Sequence, residues 1–174
     1  MSAVPLPFSG PLLEEAFQYW RGKAGDRRMP SRTDLDPVEI PKLLTHVALL
    51  DVVGPSRYRF RLIGTAIADE QGLNATGREL SEAVTGPELR DHVIALCDEC
   101  VRERRPLYSE CLFFSPESGL IERHTKRLFM PLSQDGETVN MIFQLEIFLH
   151  IDPMARERHF IEPRSFKEIA HALL

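Results

Sequence analysis

The stretch from Arg57 to Leu80 constrains the fold more than any other part of the sequence. In its first residues, RYRFRLI, arginines alternate with Tyr58, Phe60 and Leu62. This period of two is typical of a strand with one buried and one solvated face. Helix-forming residues follow Gly64 and end at Gly72, and a further turn leads into another short helical segment. The sequence therefore predicts a strand that leads directly into several short helices.

The remaining predicted elements form a sheet with one long helix. A first strand precedes this stretch and is joined to it by a tight turn, so the two strands form a hairpin. The longest helix is predicted from Pro87 to Arg105, because Pro106 cannot continue it. The other predicted strands are His46 to Val53, Leu107 to Phe114, Ile121 to Leu132 and Thr138 to His150. The last of these has the longest alternating pattern, which indicates the central strand.

Both ends of the chain lie outside this predicted core. Residues 1–11 form a proline-rich arm, and Leu12 to Gly22 form a helix with one strongly apolar face. Ser165 and Glu168 fit a capping box ahead of a short terminal helix. We expect a single domain over residues 1–174, with a core at about 12–150 and a helical extension at 151–174, because no linker separates a second unit.

Composition excludes several classes of protein. A net charge of −5 and a pI near 5.7 argue against a nucleic-acid-binding protein. Three cysteines without a secreted framework favour reduced thiols in a cytosol. No apolar run approaches the roughly 20 residues needed to cross a bilayer. The sequence thus predicts a cytoplasmic protein with neither a nucleic-acid nor a membrane partner.

The run Arg61-Leu62-Ile63-Gly64-Thr65, followed by Gly72 and by Thr76-Gly77-Arg78, resembles a bacterial variety of the PAS domain family. The resemblance extends from about Leu12 to His150. It implies an α+β fold in which helices cover one face of a five-stranded antiparallel sheet and enclose a small-molecule pocket. It also implies a sensory or regulatory module that binds a ligand and signals through contact with another protein. We expect a stand-alone module acting in trans, because no output domain is attached.

The alternation described above gives candidate contacts for a small apolar or amphipathic ligand. The residues predicted to face the pocket are Phe60, Leu62, Leu96, Cys111, Phe113, Phe129, Met141 and Phe143. For each of them an ordinary place in the core is the simpler explanation.

The apolar face of the N-terminal helix must be covered, either by the sheet of its own chain or by a second chain. The resemblance favours the second solution, because helices that precede a PAS core often pair in dimers. We therefore expect a homodimer with Leu13, Phe17 and Trp20 at the interface, and large aromatics are suited to anchor it.

The sequence predicts neither zinc, haem nor flavin. Cys97 and Cys100 form a single C-x-x-C pair, and zinc would need two more ligands. His92 is a candidate haem ligand, but a partly buried histidine is a more common explanation. Flavin photochemistry of the light-sensing PAS kind needs a cysteine in the short helices, where Arg78-Glu79-Leu80-Ser81 has none.

Two other functions remain open on the sequence alone. A small α+β enzyme would have a cavity with converging titratable side chains, and an interaction adaptor would have a filled core. The six histidines show no H-E-x-x-H spacing, and neither a nucleophile elbow nor a phosphate-binding loop occurs. The sequence therefore contains no motif that predicts catalysis.

Overall fold

A computed structural model of the chain describes residues 6–84, 86–115, 121–149 and 166–174. The helices are α1 (Pro11–Ala24), α2 (Thr65–Gln71), α3 (Leu80–Ala83) and α4 (Pro87–Glu103). The strands are β1 (Val47–Gly54), β2 (Arg57–Ile63), β3 (Leu107–Ser115), β4 (Ile121–Ser133), β5 (Val139–Leu149) and β6 (Lys167–Leu173). Short 3₁₀ turns occupy much of the chain between α1 and β1.

The strands form one antiparallel sheet in the order β2-β1-β5-β4-β3-β6. The predicted α+β fold, the β1–β2 hairpin, the long helix and the placement of β5 beside β1 are confirmed. Within the described residues the sheet has six strands rather than the predicted five, because the segment expected to form a terminal helix is β6. Residues 150–165, including the proposed cap Ser165, lie outside the described residues.

The terminal strand has a physical reason. An isolated helix of about two turns is only marginally stable in water, because nucleation costs more than so few hydrogen bonds return. The outer edge of β3 instead offers a row of backbone donors and acceptors to any extended segment. Pairs from Leu107–Leu173 to Leu112–Lys167 use that edge, with one register shift on the way.

Cross-strand pairing defines two faces of the sheet. Ser109, Arg127 and Glu146 stand opposite one another on β3, β4 and β5, and we call their side the inner face. Helix α4 covers the inner face, where its His92 lies 3.5 Å from the hydroxyl of Ser109. The opposite side, which carries residues such as Tyr108, is the outer face.

Helix α1 packs on the outer face of its own chain. Phe8, just before this helix, contacts the ring of Tyr108 at 5.1 Å between centroids. The indole N–H of Trp20 donates to the carbonyl oxygen of Pro131 at 2.9 Å. Leu13, Phe17 and Trp20 are all buried in the monomer, so their prediction as an exposed dimer interface is wrong. The reason is that the outer face of β4 and β5 is itself apolar and requires this cover.

A bulge in β2 changes the phase of the arginine alternation. Phe60 pairs with Leu50, but Leu62 pairs with Leu49, so that one extra residue of β2 is accommodated between them. Phe60 is therefore buried, whereas the side chain of Leu62 is 43% exposed. The predicted inward orientation of Leu62 is wrong for this reason.

Candidate functional site

The inner face contains a buried ion pair. Arg127 and Glu146 are direct cross-strand neighbours on β4 and β5. Nη2 of Arg127 lies 2.6 Å from Oε1 of Glu146, and Nε donates to the same oxygen at 2.9 Å. The two side chains are only 4% and 3% exposed. Such a pair is desolvated on both sides, so its energy depends on how completely its hydrogen bonds are satisfied.

Neighbouring side chains extend this pair into a polar cluster. Nη1 of Arg127 donates to Sγ of Cys111 at 3.1 Å, and Cys111 lies 3.3 Å from the hydroxyl of Thr125. The guanidinium also stands 5.7 Å from the ring centroid of Phe113, a cation–π distance. Burial would lower the pKa of Arg127, but Glu146 and Cys111 raise it, so the guanidinium remains charged.

Gln144 completes the cluster and leaves one acceptor unused. Its Nε2 donates to Oε2 of Glu146 at 3.1 Å. This contact fixes the amide orientation, because a carboxylate only accepts hydrogen bonds. The amide oxygen of Gln144 is buried and has no hydrogen-bond partner among the described residues. A buried polar atom without a partner costs free energy, so this oxygen marks a place where a donor is missing.

His92 lies at the border between this cluster and the C-terminal strand. Its Nε2 is 3.5 Å from Oγ of Ser109 and 3.6 Å from Oε2 of Glu168. Burial, together with the positive charge of Arg127 and the neighbouring His171, lowers the pKa of His92 to about 4. His92 is therefore neutral near pH 7, and its ring nitrogen already has neighbours within the chain. In the structure His92, the residue weighed as a haem ligand, therefore contacts Ser109 and Glu168 of its own chain.

The predicted pocket residues divide into three groups. Phe60, Cys111, Phe113 and Phe129 lie on the inner face, and Leu96 of α4 is buried above it. Met141 and Phe143 are buried on the outer face, on the side that α1 covers, so their assignment to the pocket side is wrong. Leu62 is at the surface. The error for β5 arises because this central strand is buried on both faces, and the purely apolar set faces α1 rather than the helices of the inner side.

Arg127, Gln144 and Glu146 are not among the residues predicted to face the pocket. Gln144 and Glu146 belong to the polar half of the β5 alternation, and such a half is typical of a solvated face. A signal was present, because β5 was predicted to be central, and a central strand has no solvated face between two layers. Polar residues in its middle are therefore candidates for a buried site.

No group of three or more His, Cys, Asp or Glu side chains in the described part of the chain is arranged to hold a metal ion. Cys97, Cys100 and Cys111 are free and buried. Burial raises the pKa of the Cys97 thiol well above its ordinary value, which favours an unreactive thiol.

The element order and the helix-covered inner face define an α+β domain of the PAS type. A family model described as a PAS domain matches residues 9–145, and the chain belongs to this family. PAS domains are generally sensory and signalling modules and typically not enzymes. A search of curated proteins finds no match. No helix in the described ranges is long and apolar enough to span a membrane.

Three solved structures are similar to this chain. The PAS domain of Bordetella pertussis BvgS is 20% identical, with a TM-score of 0.51, over 72% of this chain and 96% of that chain. The Rhodobacter sphaeroides LOV protein is 12% identical, with a TM-score of 0.49, over 72% of this chain and 74% of its own. An RNA-binding light-oxygen-voltage receptor is 14% identical, with a TM-score of 0.44, over 69% of this chain and 36% of that chain.

Proposed function

We propose that this protein is a sensory PAS module that binds a small amphipathic ligand against the inner face of its sheet. The observation that carries the proposal is the buried amide oxygen of Gln144, which has no partner among the described residues and lies beside a fully desolvated ion pair. A ligand with an N–H or O–H group would satisfy this oxygen. Aromatic residues of the same face, such as Phe60 and Phe129, suit an apolar body.

The ion pair favours ligand recognition over a filled adaptor core. Buried ion pairs are often no more stabilising than apolar residues of the same volume, because desolvation offsets the attraction. A domain that needed only a packed interior would gain nothing from Arg127 and Glu146. A polar cluster within an apolar layer instead gives orientation and specificity to a bound molecule.

The same contacts argue against the enzyme alternative. Both carboxylate oxygens of Glu146 are engaged, one by Arg127 and the other by Gln144. The thiol of Cys111 accepts from Arg127 and contacts Thr125. A general base or nucleophile must be able to reach a substrate proton or carbon, and these groups face one another instead.

The output of the module is proposed to be contact with another protein in trans, as is usual for sensory domains of this family. Homodimerisation also remains a proposal. Because α1 is committed to the outer face of its own sheet, a dimer would have to use another surface. The three free thiols support a reducing compartment such as the cytoplasm.

Native mass spectrometry of the gently purified protein tests the ligand proposal. We expect a fraction of the wild-type protein to carry a small molecule, and Gln144→Leu to lose it while remaining folded, because this change removes the unpaired oxygen. Gln134→Leu replaces an exposed glutamine in the β4–β5 turn and should retain the molecule. A Gln144→Leu protein with undiminished occupancy would place the ligand elsewhere, and a wild-type protein without any bound molecule would reject the proposal.

A further inference from the structure

Strand β6 is an addition to the part of the chain that matches the PAS family. The family match ends at residue 145, whereas β6 spans Lys167–Leu173 and extends the sheet beyond β3. Strand β6 is therefore a feature of this chain outside the matched family region. The strand lies at the side of the sheet nearest to Cys111 and, through Cys111, nearest to the buried ion pair.

The inner side of β6 is fastened to α4 by polar contacts. Nε2 of His171 lies 2.9 Å from Oε2 of Glu99, and Oε2 of Glu168 lies 3.6 Å from Nε2 of His92. Just before the strand, the ring of Phe166 lies 4.3 Å from that of His92, between centroids. Glu99 and His92 belong to α4, so β6 connects the helix layer to the sheet edge.

Strand β6 lies along the edge of β3, next to the residues of β3 that contact the candidate site. Ser109 pairs with His171 across the β3–β6 ladder, and Cys111 pairs with Glu168. On its other side, Ser109 pairs with Arg127, while Cys111 accepts a hydrogen bond from Arg127. Only the width of β3 therefore separates β6 from the ion pair.

Few apolar side chains of β6 are buried against the rest of the domain. Four of its seven side chains are exposed and the other three are only half-buried. Segments with few buried apolar contacts open at a lower free energy than the rest of a domain. The C-terminal end of the strand is held by two hydrogen bonds: Leu174 N–H donates to the carbonyl oxygen of Pro106 at 2.9 Å, and Nε of Arg105 donates to the carbonyl oxygen of Leu174 at 3.0 Å.

We infer that β6 is a removable strap that closes the candidate ligand site along the edge of β3, and that its release opens the route to the Arg127–Glu146 pair. This inference rests on the proposed function for its biological purpose. The release itself requires no ligand in order to be observed.

Alkylation of the three buried cysteines by iodoacetamide tests the strap. Cys111 is on β3 beside β6, whereas Cys97 and Cys100 are on the buried side of α4, and all three cysteines are fully buried. We expect His171→Ala and Glu99→Ala to raise the alkylation rate of Cys111 at least tenfold, as measured by peptide mass spectrometry. Cys97 and Cys100 should keep their wild-type rates. Lys167→Ala changes an exposed residue of the same strand and should leave all three rates unchanged.

Hydrogen exchange gives a second measurement in the same proteins, and amides 167–173 should exchange at least tenfold faster in His171→Ala. Equal alkylation rates for all three thiols in every variant would show that only global unfolding exposes them and would overturn the inference. An unchanged alkylation rate of Cys111 in both His171→Ala and Glu99→Ala would also overturn the inference. If the strap opens but Gln144→Leu retains its bound molecule, the ligand proposal fails and the strap stands; the reverse result rejects the strap alone.

Discussion

Gly64 packs directly against the backbone carbonyl of Thr45, so a Cβ on residue 64 would overlap this oxygen and that of Leu44. The N–H of Gly64 also donates to the carbonyl oxygen of Val47 at 2.7 Å, which fixes the close approach. Its φ of −67° and ψ of 152° are accessible to any residue. The glycine is therefore required by backbone proximity rather than by the strained backbone or positive φ that a strand-to-helix turn could have imposed.

Gly64→Ala should destabilise the protein by about 3 kcal/mol, because the atoms it meets are backbone and cannot move aside as a flexible side chain would. Urea denaturation followed by circular dichroism measures the change. Gly22→Ala is the matched control, since nothing lies within 4 Å of a Cβ there and the residue is inside α1. That control should gain up to about 1 kcal/mol from helix propensity. Similar losses for both variants would contradict the proximity argument.

The buried ion pair makes a prediction about non-additivity. Glu146→Leu leaves the charge of Arg127 buried without a partner and should cost about 3–5 kcal/mol. The double variant Arg127→Met/Glu146→Leu removes both charges and should recover most of this loss, because two apolar residues then fill the same space. Denaturant melts of the single and double variants form the cycle. A double variant that loses the sum of the single effects would show that the pair is not coupled.

The sequence predicted the elements better than it predicted their faces. Strand alternation placed β1 to β5 and the long helix, because period and turn residues are local properties of the chain. The burial of each face depends on what covers the sheet. Helices α1 and α4 lie on opposite sides of the sheet, and both the apolar residues around Phe143 and the polar residues around Gln144 are buried. The bulge beside Phe60 and the edge that recruits β6 arise from pairing between distant segments. No local pattern contains that information.

Helix α1 gives a prediction that separates core packing from dimerisation. Phe17→Glu places a charge in a buried position on the outer face and should destabilise the monomer by roughly 3 kcal/mol or more. Gln18→Glu alters the exposed side of the same helix and should stay within about 0.5 kcal/mol of wild type. Thermal melts and light scattering report stability and mass together. A Phe17→Glu protein that remained as stable as wild type but halved in mass would restore the dimer interface predicted from sequence.

His92 should make stability fall with acidification. Its pKa in the folded protein is lowered from 6.5 to about 4, so the unfolded chain binds a proton more readily between these values. The contribution of neutral His92 to the free energy of unfolding is complete above about pH 6.5. It is lost as the pH falls toward 4, at up to about 1.4 kcal/mol per pH unit. Denaturant melts at intervals across this window should show a shallower slope for His92→Phe than for wild type. Titration of the His92 ring protons by nuclear magnetic resonance gives a direct check, and a midpoint near 6.5 in the folded protein would contradict the buried, Arg127-facing environment on which the prediction depends.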